Sequence, residues 1–312
     1  MLIHRRSLLR YSLAGLGAAA QLQGDIDSPQ QVPWSSGTER PKTSAPPGAA
    51  NCHHHIYDSR FPVDPHAKLR PGDATVADYR LLEKRIGTTR NVIVQPSTYG
   101  VDNRCLLDAL AQFGLARARG IAVVNTAVSD AELRRLDAAG VHGIRFNLVQ
   151  AGATTLEMVE PLSKRVTALG WHIEVNASPE QIGSASGLWD RVPCPVVFDH
   201  LGHVLRPEEN DPAFTSIRNL LRSGHGWVKL SGAYLDSKIG PPTYADRKPI
   251  AHAYVEAAPK QLVWGSDWPH PSAVGPKPDD AVLFDLLAEW APDRATRDRI
   301  LVDNAARLYG FS

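Results

Sequence analysis

Two histidines in the run ANCHHHIYD, His53 and His55, are separated by one residue. On an extended strand that spacing aims both imidazoles at one face and turns His54 to the other. Such a pair can hold a divalent metal, polarise a carbonyl or orient a water. An HxH pair alone is a weak signal, and its weight comes from what recurs downstream. His200 stands in VVFDHLG and Asp267 in LVWGSDWPH, each at the end of an apolar run. A carboxylate meeting three imidazoles would be equipped for proton transfer at a carbonyl centre.

These side chains converge only if the chain carries them to one place. Eight β-rich runs begin near residues 50, 90, 119, 141, 171, 194, 226 and 261, separated by stretches such as AELRRLDAAG and AVLFDLLAEW with helical spacing of apolar residues. Alternating strand and helix signals predict parallel βαβ units buried on both sheet faces. Eight units over 49–312 predict one domain, a (β/α)₈ TIM barrel. An open doubly wound sheet is the competing arrangement. It is disfavoured because the turn after the first strand lacks GxGxxG and polar residues close most runs instead of clustering at one switch point. The polar strand ends read His53 and His55, Gln95 and Ser97, Asn125, Arg145 and Asn147, Asn176, Asp199 and His200, Ser231 and Tyr234, then Asp267 and His270. Unpaired and buried, these would each cost kilocalories, so they must bond one another or surround a polar substrate. In a closed barrel the first and eighth strands are neighbours, which brings Asp267 towards the histidine pair.

The ordered set NCHHHIYD, VIVQPSTYG, GIRFN, VVFDHLG, VKLSGAY, LVWGSDWPHP and ILVDNAARLYGF resembles the amidohydrolase superfamily. Within it the chain is most similar to the branch containing 2-pyrone-4,6-dicarboxylate lactonase and sugar lactonases, from residue 49 to the end. The resemblance implies a barrel hydrolase with Asp267 as general base and with His53, His55 and His200 holding or polarising a substrate carbonyl. Arg145 would clamp a substrate carboxylate, although a salt bridge across a barrel loop is an equal reading. Ser97, Asn147 and Asn176 become candidate substrate hydrogen bonders, with Tyr99 from the following loop. Binuclear superfamily members use a lysine after the fourth strand and a histidine after the fifth. Here those places hold Arg145 and Asn176, while His172 lies at the wrong end of its strand. No required metal is therefore expected. The alternative is one divalent ion, such as Zn²⁺, on His53, His55 and Asp267. Relatives acting on dicarboxylates commonly carry arginine where Leu235 stands, which favours a neutral or monoanionic substrate.

The expected function is hydrolysis of a small lactone, a sugar-acid or pyrone-carboxylate ester, by water attack. Two readings compete with it: a metal-dependent decarboxylase of an aromatic or muconate-type acid, and a non-catalytic barrel that binds a sugar acid. Ser97 is no triad nucleophile, since GxSxG is absent. His203 reads as a capping or surface residue, and His54 as packed on a helix. Cys52 should face the barrel's outer layer as a small hydrophobe. Trp227, Trp264 and Trp268 suit a pocket wall or a core equally.

The whole-chain balance, 34 basic against 33 acidic residues, offers no footprint for nucleic acid or an anionic membrane. Cys52, Cys105 and Cys194 form neither a disulfide framework nor a CxxC site. Residues 1–20 join Arg5 and Arg6 to a short apolar run ending in three alanines, a pattern of a twin-arginine export signal. An amphipathic surface helix is the alternative. The run is too short for a membrane span. Export predicts a periplasmic protein, and losing Arg5, Arg6 and Arg10 takes the net charge from +1 to −2. Residues 21–48, rich in proline, read as a linker or arm, with Trp34 docking on the domain. The partner implied is a small lactone or carboxylate, with no membrane span in the mature chain and no oligomeric state specified.

Overall fold

The computed structural model describes residues 31–150 and 152–312, so the expected export signal and the first part of the arm lie outside the described residues. Eight parallel strands follow in sequence order around a nearly closed barrel: β1 (Ala50–His54), β2 (Arg90–Val94), β3 (Ala118–Ala122), β4 (Val141–Asn147), β5 (His172–Asn176), β6 (Val196–Phe198), β7 (Gly226–Leu230) and β8 (Leu262–Trp264). Among the described residues twelve α-helical segments surround or cap it: α1 (Val76–Ile86), α2 (Arg104–Phe113), α3 (Asp130–Ala138), α4 (Val159–Thr167), α5 (Pro179–Ser184), α6 (Ser186–Trp189), α7 (Pro212–Ser223), α8 (Ala233–Asp236), α9 (Lys248–Ala257), α10 (Asp280–Trp290), α11 (Arg294–Asp298) and α12 (Asn304–Tyr309). Local chemistry fixes several helix starts. Thr75 and Asp78 form a capping box on α1, Ser178 and Gln181 another on α5, and Asp211 caps α7 just before Pro212.

The barrel closes through the site. β1 and β8 meet just beyond the last residue of β8, where the His55 N–H donates to the Trp268 carbonyl and the Asp267 N–H to the His53 carbonyl, each at 2.8 Å. Gly265 permits this approach: a Cβ there would lie 2.5 Å from the Cβ of His53.

A bulge changes the expected facing of β1. Asn51 pairs with Asn91 but His54 pairs with Ile93, so β1 uses three steps where β2 uses two. Cys52 and His53 therefore both serve the interior. Cys52 packs with Ala50, Val92, Val94, Val197 and Val263 at the barrel axis, correcting the expectation that it faces the outer layer. Simple alternation failed because one extra residue resets the period of two. Beneath them Ala305, Tyr309 and Phe311, in and just after α12, plug the lower end. Trp264, Trp268 and Trp227 are core residues: Trp264 packs edge-on to Phe284, Trp268 donates to the Pro33 carbonyl, and Trp227 lies under Arg307. The described part of the arm is docked. The Trp34 indole donates to the Asp73 carbonyl, Arg85 bonds Ser35, Ser36 and Glu39, and Asp285 accepts from the N–H groups of Lys42 and Thr43.

Candidate active site

Asp267 leaves β8 with φ +64°, His200 leaves β6 with φ +51°, and His203 follows at φ +54°. Such conformations are disfavoured for side-chain-bearing residues, and strain of this kind gathers where a side chain must be aimed. Gly232 clears the space for His200, whose Nδ1 would stand 2.7 Å from a Cβ at that position.

One oxygen of Asp267 is the focus. Its Oδ1 lies 3.4 Å from His53 Nε2, 3.3 Å from His55 Nε2 and 3.9 Å from His200 Nε2. The Tyr234 hydroxyl donates to Oδ2 at 2.6 Å. His55 Nδ1 donates to the Val94 carbonyl at 2.8 Å, which fixes the ring with its Nε2 towards Asp267. His200 Nδ1 is anchored on Ser231 Oγ at 2.9 Å.

Below this cluster lies a second charged layer. Lys229 Nζ, fully buried, bonds Glu174 Oε2 at 2.5 Å and His53 Nδ1 at 3.0 Å, and stands 3.3 Å from Asp199 Oδ1. Arg145 Nε donates to Asp199 Oδ2 at 2.9 Å, and the Tyr309 hydroxyl to Glu174 Oε1 at 3.0 Å. Two cations thus face two buried carboxylates, the pairing that buried charge requires.

The electrostatics follow. Burial pushes His53 well below the usual imidazole range, and Lys229 adds to the depression. Burial takes His200 down to about 4 although Asp267 and Asp199 pull the other way. Burial alone would raise Asp267, but His200, His55 and His53 outweigh it and hold the carboxyl well below its ordinary value. Asp267 is therefore ionised at neutral pH, beside neutral His53 and His200.

The donor set accommodates one divalent ion. Bonds of about 2.0–2.2 Å place neighbouring tetrahedral donors ~3.3–3.5 Å apart, close to the His53–Asp267 and His55–Asp267 separations. His53 Nε2 is buried without a hydrogen-bond partner, and His53, His200 and Asp267 offer converging ligand atoms. The second converging set, His53, Glu174 and Asp199, already surrounds the ammonium of Lys229. A binuclear centre does not fit.

The cluster opens into a cavity of about 260 Å³ lined by His55, Tyr57, Ser97, Arg145, Asn147, Asn176, His200, His203, Leu235 and Asp267. A larger outer cleft of about 600 Å³ beside Pro179, Glu208 and Asp211 gathers no imidazole or cation. The expected residues are thus largely brought together, with His53 one layer deeper than the wall. Tyr99 is placed elsewhere: its hydroxyl bonds the backbone of Asp58, and Tyr57 occupies the wall instead. Arg145 combines both expected readings, a salt bridge through Nε and a position on the cavity wall. His203, read as a capping or surface histidine, lines the cavity and bonds Asp236 and Asn176. Lys229 and Glu174 were not among the candidate residues, and Tyr234 was named only as a polar strand end, without a role. A lone lysine in GWVKL and a lone glutamate in HIEVN, each inside a strand buried on both faces, were the available signal, because each charge demands the other.

A family model described as amidohydrolase matches residues 50–311. The chain belongs to that family. It is 38% identical over 274 residues to a 4-sulfomuconolactone hydrolase of Rhizobium radiobacter, covering 85% of this chain and 91% of the relative. It is 32% identical over 295 residues to a 2-pyrone-4,6-dicarboxylate hydrolase of Comamonas testosteroni, covering 90% and 96%. The crystal structure of a probable 2-pyrone-4,6-dicarboxylic acid hydrolase from Acinetobacter baumannii with citric acid bound superposes with a TM-score of 0.72 at 28% identity, covering 85% of this chain and all of that one.

Proposed function

We propose that this protein is a lactone hydrolase acting on a carboxylic ester bond in a small ring. The observation that carries the reading is the convergence of Asp267 with His53, His55 and His200 on a cavity of about 260 Å³, the size of a monocyclic substrate. The amidohydrolase relatives named for lactone hydrolysis support it.

Water attacks the lactone carbonyl while Asp267, with His55 Nε2 beside it, accepts a water proton. The water oxygen bonds the carbonyl carbon, the ring C–O bond breaks, and the accepted proton passes to the departing ring oxygen. His200 and the Nε2–H of His53 face the charge that develops on the carbonyl oxygen. Tyr234 fixes the carboxylate by holding Oδ2. A divalent ion, if bound, would sit on His55, His200 and Asp267, joined by His53 on loss of its Nε2 proton, and would supply carbonyl polarisation. The chain's own donors and base complete the reaction, so no metal is required in this reading.

The sequence of residues 1–20 supports export to the periplasm as part of the proposal. No helix among the described residues is long and apolar enough to cross a membrane. The deciding experiment is a panel of lactones assayed with wild type and Asp267→Asn, with and without chelator. Hydrolysis by wild type that survives chelation and disappears in the variant supports the reading. Full activity in the variant overturns the role of Asp267. Release of CO₂ from an aromatic or muconate-type acid, abolished by chelation, would favour decarboxylation instead.

A further inference from the structure

Four consecutive residues of the arm, Pro33–Ser36, grip the loop after β8 at its start, its middle and its end. At the start, the Trp268 indole, next in the chain to Asp267, donates to the Pro33 carbonyl at 2.8 Å. In the middle, the Ser36 hydroxyl donates to the Lys277 carbonyl and the Ser36 N–H to the Pro278 carbonyl. The Lys277 ammonium also lies 5.7 Å from the centre of the Trp34 ring. At the end, the Asp280 N–H donates to Ser35 Oγ at 3.2 Å. Arg85 of α1 binds both sides together, bonding Ser35 Oγ, the Ser36 and Glu39 carbonyls and Asp279. Trp34 takes φ +63°, a disfavoured conformation for a bulky side chain, so this stretch of arm is shaped by the contacts it makes.

The inner side of the same loop carries the base. The His270 N–H donates to the Asp267 carbonyl at 2.8 Å, closing the turn that aims the carboxylate. The buried His270 ring has its Nε2 3.0 Å from Asp280 Oδ2 and stands edge-on to Tyr234, with ring centres 5.2 Å apart. Lys277 Nζ donates to the His270 carbonyl at 2.6 Å. Asp267 is thus held by its backbone turn and by the Tyr234 phenol, both of which lean on His270. His270 leans in turn on Lys277 and Asp280, two residues that the arm holds.

We propose that Ser35 and Trp268 are positioning residues for catalysis, through which arm segment Pro33–Ser36 fixes the turn that aims Asp267. This rests on Asp267 as the base of the lactone-hydrolase reading. Both side chains are buried and neither lines the cavity, so each acts through the loop. A buried N–H that loses its acceptor is costly, so a loop deprived of these bonds shifts towards water. A small shift of the turn misplaces the base while most of the cavity wall, which stands on other loops, still binds the ring. The arm supplies its own control. Asp285 of α10 accepts from the N–H groups of Lys42 and Thr43 at 2.9 and 2.8 Å, an anchor of the arm that bypasses the loop.

The test measures kcat, KM and unfolding midpoints of full-length wild type, Ser35→Ala, Trp268→Phe and Asp285→Ala on the lactone that wild type turns over best. Ser35→Ala and Trp268→Phe should each lose roughly tenfold in kcat with KM nearly unchanged. Asp285→Ala should lower the unfolding midpoint and leave kcat at the wild-type value. Unchanged kcat in Ser35→Ala or Trp268→Phe, or an equal loss in Asp285→Ala, overturns the proposal. Hydrogen–deuterium exchange read by mass spectrometry follows the same coupling without turnover. Peptides from the loop after β8 should exchange faster in Ser35→Ala and Trp268→Phe and at the wild-type rate in Asp285→Ala. Faster exchange in none of the variants, or in all three alike, overturns the proposal. A wild type that hydrolyses no lactone would sink the lactone reading alone, and exchange would still decide whether the arm holds the loop.

Discussion

Lys229 Nζ sits 3.0 Å from His53 Nδ1, in the barrel layer directly beneath the candidate base. An ammonium can only donate, so it fixes His53 with a bare Nδ1 and a proton on Nε2, facing Asp267. Lys229→Met removes that constraint and leaves Glu174 and Asp199 without their shared cation. The variant should lose about 3–5 kcal/mol of stability in denaturant unfolding, the cost of an uncompensated buried charge. Lys229→Met with Glu174→Gln should recover part of that stability without recovering turnover, because the His53 proton remains unplaced. Full activity in the double variant would dismiss Lys229 as a positioning residue.

The same ammonium limits metal content. It lies among His53, Glu174 and Asp199, the place a second ion would need. Zinc titration followed by calorimetry or elemental analysis should saturate at no more than one ion per chain, and His55→Asn should weaken that uptake. Two ions bound in the wild-type barrel would contradict the assignment of the second position to Lys229.

The eight-unit barrel was legible because buried parallel strands carry apolar runs, and the polar ends of those runs named the site's upper layer. The layer beneath was not. Lys229 and Glu174 sit on different strands, 55 positions apart, and only barrel closure makes them partners. Cys52 was misread because a bulge between Asn51 and His54 has no signature in residue type. Tyr57 stands on the wall where Tyr99 was expected for a related reason: both lie beyond the strands, where periodicity gives a side chain no direction.

Tyr234 and Asp267 separate orientation from proton transfer. Asp267→Asn removes the base and should lower kcat roughly 10³-fold. Tyr234→Phe removes only the 2.6 Å hydrogen bond to Oδ2. A bond to a charged group contributes about 1.5–3 kcal/mol, so kcat should fall ~10–100-fold. Steady-state kinetics on the best lactone checks both values. A Tyr234→Phe loss as deep as that of Asp267→Asn would mean that the phenol itself takes part in the proton transfer.

His54 should impose an acid limit on folding that is independent of catalysis. It faces away from the cavity, stacks on Tyr79 at 3.6 Å and bonds Asn91 Oδ1 through Nε2 at 3.1 Å. Burial drives its pKa down to about 3. The unfolded chain binds a proton at this histidine below about pH 6.5 while the native state does not, so stability falls as pH falls. From about pH 6.5 towards 3, His54 alone should withdraw about 1.4 kcal/mol per pH unit, and no further below its folded pKa. His54→Phe keeps the stacking and removes the titration, so urea unfolding midpoints of wild type and variant should diverge progressively between pH 6.5 and pH 4. The Asn91 hydrogen bond is lost in the variant at every pH, which shifts its midpoint uniformly and leaves the difference in slope as the diagnostic. Parallel pH profiles would show that His54 is protonated in the folded barrel.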